Sequence, residues 1–216
     1  MKNRFAAPLV DFWSQLKGEI HPDDAPFRGQ APNEINFDYP PPAFTGDIAN
    51  ARIVVLMANG GYDPQTTPRE FLEPNAADRW RAALCEPRPS DPRWTSPYYL
   101  RGRLGEWLRS GRAVAVNALA YRSVKVTDAV RRFAAELPSS RFHREWLHGS
   151  LRMAAEAGDV RVVIHRSGLW RPSGEIRSNP NIRVLAGAEP ARRYLSKEVV
   201  TWAERSPEPA PFKTRP

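Results

Sequence analysis

Four short apolar runs punctuate the body of the chain: RIVVLMA at 52–58, RAVAVNA at 112–118, VRVVIHR at 160–166 and NIRVLAG at 181–187. Each is rich in Val or Ile and nearly continuous instead of alternating, the pattern of a strand covered on both faces. Between them the periodicity turns helical, in LEPNAADRWRAALCE, LRGRLGEWLRSG, VTDAVRRFAAEL and RFHREWLHGSLRMAAEAG, and again after the fourth run in PARRYLSKEVVTWAER. Thr127 or Asp128 can cap the start of its helix, and Gly158 closes the long one before the third run. Strands that alternate with helices pair in parallel through right-handed crossovers, so the pattern predicts an α/β fold, a three-layer α/β/α sandwich.

The flanks read differently. Residues 1–45 carry one short helical pattern, PLVDFWSQLKG, and then a proline-rich arm, FDYPPPAF, in which Pro40 to Pro42 forbid helix and favour an extended wrap over the surface. The last residues, SPEPAPFKTRP, have the composition of a disordered tail. No apolar run approaches the roughly 20 residues of a membrane span, and MKNRFAAPLVDFW has no long apolar segment of the secretory kind. The single cysteine, Cys85, leaves no internal disulfide and no multi-cysteine zinc site. Charge changes the picture more. Thirty-two Lys and Arg against 24 Asp and Glu give a formal +8, mostly as arginine, whose planar fork can grip phosphate in two places. Such a surplus suits either plain solubility or a polyanionic partner, nucleic acid ahead of membrane.

Candidate chemistry gathers where the runs end. In IVVLMANGGYDP, 53–64, a core run stops at a glycine pair bracketed by Asn59, Tyr62 and Asp63. A proline-containing loop and a helix follow, which excludes a hairpin. Ligands of open parallel sheets bind outside the carboxyl ends of the strands, and three such ends carry polar groups: Asn59, Asn117 and His165. Asn59-Gly60-Gly61 reads as a tight turn or as a loop whose amides approach a ligand; it has neither the third glycine of a dinucleotide fingerprint nor the Gly-Lys-Ser/Thr of a phosphate loop. Tyr62 fits a core position or a pocket wall, and Asp63-Pro64 fits ordinary turn chemistry. Asn117 sets a donor beside an acceptor, which complements the amide-like edge of a pyrimidine, or else it bonds local backbone. Arg122 and Ser123 place a cationic fork and a hydroxyl where phosphate could meet them. In HRSGLW the ring of His165 precedes Arg166, Ser167 and Leu169, and apolar residues beside arginines suit either a wedge into a base stack or the core.

Taken in order, these three stretches resemble the uracil-DNA glycosylase superfamily over roughly residues 43 to 200. The resemblance implies a four-stranded parallel sheet within an α/β/α domain at 46–205, preceded by the arm at 1–45 and followed by the tail at 206–216. It sets Asn59 at the position that places the attacking water, Asn117 where the uracil edge is read, and His165 where a ring supports charge on the departing base. Ser167 and Leu169 keep a His-x-Ser-x-Leu spacing that implies phosphate contact and insertion into the duplex, with Arg166, Arg122 and Ser123 as further DNA contacts. Tyr62 would exclude a C5 methyl, and Tyr98 or Tyr99 would stack on the base. Gly60, Arg166 and Gly168 depart from the pattern, each standing where a proline is common. GYDP offers a competing register with Asp63 as the water-activating group; Asn59 is preferred because it lies closer to the strand end. The implied activity is hydrolysis of the N-glycosidic bond of uracil or another deaminated base in DNA. It needs no cofactor or metal and implies a cytoplasmic, nucleoid-associated monomer. Two other classes remain: a DNA-binding protein that recognises uracil or abasic sites without turnover, and an enzyme acting on free nucleotides or nucleosides.

Overall fold

The structure is a computed structural model and describes residues 3–93, 95–185 and 195–207. Helix α1 (Ala6–Trp13) precedes two short strands, β1 (Ile35–Asn36) and β2 (Phe44–Gly46), and the central strand β3 (Ile53–Asn59). A 3-10 turn at Thr67–Phe71 leads through α2 (Ala76–Cys85) and α3 (Gly102–Arg109) to β4 (Ala113–Leu119) and β5 (Arg122–Ser123). Helix α4 (Asp128–Glu136) follows, capped by the Thr127 side chain on the Val130 amide. Next come α5 (Pro138–Trp146), a π turn at Leu147–Leu151 and α6 (Arg152–Ala157), which Gly158 ends at φ 77°. The chain continues through β6 (Arg161–Ile164), α7 (Ser167–Trp170), α8 (Gly174–Ser178), β7 (Ile182–Val184) and α9 (Lys197–Glu204).

The result is a mixed α/β fold with a central, mostly parallel five-stranded sheet flanked by helices, in the order β2-β4-β3-β6-β7. The four apolar runs supply β4, β3, β6 and β7, all parallel. Val54 lies opposite Val114 and Val162, and Leu56 opposite Val116 and Ile164. Six consecutive residues of β3, Ile53 to Ala58, are buried, so both its faces are covered. Alternation along the strands divides the core in two. Val54, Leu56, Val116 and Ile164 pack with α1, α4 and α5, whereas Ile53, Val55, Met57 and Val163 pack with Leu104 and Trp107 of α3 and Val199 of α9.

Three features correct the sequence reading. The sheet has a fifth strand: Phe44–Gly46 runs antiparallel to β4, pairing Phe44 with Val116 and Gly46 with Val114. Three residues after a proline run are too few to show a period of two. The single long helix expected to end at Gly158 is interrupted by the π turn. And the stretch after His165 is not an open loop, because it coils into α7 and α8. The N-terminal arm is also more than a surface wrap: Phe5, Leu9, Trp13 and Ile35 belong to the larger core cluster, and Pro40 to Pro42 are buried. Residues 186–194, the end of the fourth run and the start of the last helical pattern, lie outside the described residues, as does 208–216, most of the expected tail.

Candidate strand-end site

β3 ends at Asn59, β4 runs on to Leu119, and His165 follows the last residue of β6. Met57 pairs with Asn117 across β4, and Ile164 pairs with Leu56, so His165 stands one step on, level with Met57. Asn117 and His165 therefore flank Met57 in one row across three neighbouring strands, roughly 10 Å apart at two strand spacings. Counting by twos, Asn59, Asn117 and His165 share the strand phase of Met57, whose side chain lies on the α3 and α9 side.

Asn117 is held through its backbone and its side-chain N–H groups. Its amide N–H donates to Ala43 O at 2.9 Å, and its carbonyl accepts from His143 Nδ1 at 2.7 Å. Its Nδ2 donates to Pro42 O and, at 2.8 Å, to Tyr99 Oη. Its Oδ1 is buried with no hydrogen-bond partner among the described residues. Both Asn117 and Tyr99 are 0 % exposed, so the edge that would read a base is sealed beneath Pro42 and Tyr99. The Tyr99 hydroxyl is held protonated, above its ordinary range, chiefly by burial. His143 sits behind this arrangement in one tautomer. The Trp13 indole donates to its Nε2 at 2.8 Å, so the proton is on Nδ1, facing the Asn117 carbonyl.

Asn59 is half-buried, and its Nδ2 donates to Ser123 Oγ at 2.7 Å and Ser123 O at 3.1 Å. Its own carbonyl oxygen remains to orient a water. Gly60 has a local reason to be glycine: a Cβ there would lie 2.2 Å from Pro42 Cγ. The arm that blocks Asn117 also demands the glycine. Gly61 takes a left-handed φ of 64° and completes the turn. Tyr62 is half-buried, and its backbone N–H donates to Ser123 O. Asp63 serves the next turn, its Oδ1 accepting from the amides of Gln65 and Thr66 at 2.8 and 2.9 Å. Those amides, Thr66's first, hold its carboxyl below the usual range, which makes it a poorer base. The competing register thus finds Asp63 exposed and spent on local backbone.

His165 is buried, and its backbone N–H bonds Leu56 O at 2.9 Å. Burial, reinforced by the neighbouring Arg166 charge, lowers the imidazole to about 4, so at neutral pH it is an uncharged donor. Arg166 is exposed and its charge also reaches Tyr98, which is 45 % exposed. Ser167 is half-buried at the start of α7.

Three of the expected DNA contacts are buried. Leu169 is buried in the core with Trp170, whose indole donates to Met57 O at 2.7 Å, so it offers no wedge in this state. The turn is helical there, and its apolar side rolls inward. Arg122 and Ser123 are both 1 % exposed. The Arg122 guanidinium pairs through Nη2 with Glu70 Oε2 at 2.9 Å and lies 5.4 Å from the centroids of both Phe71 and Trp80. Sequence reasoning missed Pro42 and His143 as partners of Asn117 and Glu70 as the partner of Arg122; of these only the proline run carried a signal. Comparisons of the chain with family models, curated proteins and solved structures found no match.

Proposed function

We propose that the protein is a monofunctional DNA glycosylase that removes uracil or another deaminated base. The observation that carries this reading is the row Asn117–Met57–His165, with Asn59 two residues further along, at the carboxyl ends of three adjacent parallel strands. The unpartnered Oδ1 of Asn117 is the acceptor that an imide N–H of a pyrimidine needs. An extruded base would displace Tyr99 and Pro42 from the Asn117 amide as it enters. Extrusion costs a few kcal/mol, least where the base is mispaired. As the glycosidic bond breaks, the sugar takes on oxocarbenium character and the base oxygen gains negative charge. Neutral His165 would donate to that oxygen; in comparable sites loss of one such donor slows the reaction about 10²–10³-fold. Asn59 cannot take up a proton usefully, so it would position the attacking water by its carbonyl oxygen. No step calls for a metal or organic cofactor.

The test is incubation with uracil-containing oligonucleotides followed by alkali. Strand breaks are expected, and they should vanish in Asn59→Ala and His165→Ala proteins that retain native circular dichroism. Breaks undiminished in both variants would overturn the roles assigned. A second reading, a protein that binds uracil or abasic sites without turnover, is favoured by Asn59, an amide held by Ser123 that cannot act as a base. It requires salt-sensitive binding with no product from uracil, hypoxanthine, xanthine or mismatched thymine.

A further inference from the structure

The stretch between β1 and β2 crosses the strand ends as a strap tied at both sides. β1 pairs Ile35 with Ser123 and Asn36 with Arg122, and β2 pairs Phe44 with Val116. Between these ties Pro40 to Pro42 are buried, and the Pro42 carbonyl accepts from Asn117 Nδ2. Such a strap can answer only half of that amide. Proline has no backbone N–H, so three in succession offer acceptors and no donor. Asn117 Oδ1 is left buried without a hydrogen-bond partner among the described residues, which is costly for any acceptor. A ligand that presents a donor beside an acceptor satisfies both atoms of the amide, where the strap satisfies one.

The fastening of the strap is a stack of rings. Tyr39 is half-buried, and its ring lies on that of Phe71, with centroids 4.7 Å apart and planes at 27°, and 6.4 Å from that of Tyr62. Both partners belong to the connection that follows β3: Tyr62 comes just after Asn59-Gly60-Gly61, and Phe71 ends the 3-10 turn. Gly60 lets Pro42 settle directly on the strand end. The strap thus touches Asn117 through Pro42 and the Asn59 turn through Pro42 and Tyr39. We propose that residues 38–42 form an autoinhibitory strap, closed over Asn117 at rest and lifted to admit a ligand to its amide. That a uracil edge is the ligand rests on the glycosylase reading; that the strap lifts does not.

Alkylation of a buried thiol reads the lifting directly. Pro41→Cys leaves Pro42 and its contacts in place, and Cys85→Ser removes the exposed native thiol. If Pro41→Cys does not fold, Ala43→Cys, at a fully buried side chain, takes its place. In the full chain, iodoacetamide should react faster than the β3 amides exchange by global unfolding. Adding Tyr39→Ala should speed the reaction about threefold or more, as loss of an aromatic stack does. A saturating uracil-containing oligonucleotide should speed it further than its thymine counterpart. Tyr39→Ala alone should tighten binding of the uracil strand by a similar factor, because less of the protein is closed; damage to the fold would weaken it. Alkylation no faster than global unfolding, or unchanged by Tyr39→Ala, overturns the strap whatever the protein does to uracil. Alkylation that answers to Tyr39→Ala and not to the uracil strand upholds the strap and overturns the glycosylase reading.

Discussion

Pro42 meets two strand ends at once, its carbonyl on the Asn117 amide and its ring against the Cα of Gly60. Neither contact is local in sequence, and neither follows from residue types. What the sequence did contain was the oddity of each: a glycine pair closing an apolar run, and three prolines in a row. The polar residues at the strand ends were legible because an Asn or a His closing an apolar run is visible in one dimension. Their partners were not, because Tyr99 reaches Asn117 from 18 positions away and His143 from 26. The packing gives a sharp expectation. Gly60→Ala should cost about 1–3 kcal/mol, as overpacking does, while Gly60→Ala combined with Pro42→Ala should recover much of that loss because the clashing Cγ is gone. Urea denaturation of the four proteins in this cycle measures the coupling. Simple additivity would mean the two residues do not touch.

Among elements, the four buried parallel strands were readable because continuous Val and Ile runs have few other uses. The edge strand β2 and the pair β1–β5 escaped, since two or three residues carry no period. The turn at Thr67–Phe71 escaped too, yet it supplies the Glu70 that fixes β5. Arg122 looked like a phosphate ligand only while its partner, 52 residues earlier, was out of view. Glu70→Ala would strand a guanidinium that is 1 % exposed and should cost about 3–5 kcal/mol in a thermal or urea melt. Because Ser123 follows Arg122 and holds Asn59, the same substitution should also lower glycosylase activity if the first reading is right. A change within about 0.5 kcal/mol would show that the ion pair is dispensable.

At the scale of the whole molecule, titration and salt are the informative variables. His143 and His165 are both lowered to about 4, each chiefly by burial, against 6.5 for an exposed ring. The unfolded chain therefore binds more protons between those limits. Stability is complete above about pH 6.5 and falls as the pH drops towards 4, with the fully buried His143 accounting for about 3 kcal/mol. Denaturation midpoints measured from pH 7.5 down to 4 should follow that slope; a flat profile would mean both rings protonate freely. If DNA is the partner of a chain with net charge +8, duplex affinity should fall roughly tenfold or more between about 50 and 200 mM salt. Salt-independent binding would remove counterion release, and with it the polyanion. The π turn at Leu147–Leu151 has a larger reach than its five residues suggest. Were those five residues wound as regular α-helix at unchanged length, everything C-terminal to them would turn to a different face of the helix axis. The Ala155 carbonyl would then turn away from Asn181 Nδ2, the bond that ties this helix to the start of β7. The wider winding of that turn sets the phase of α6 against α5.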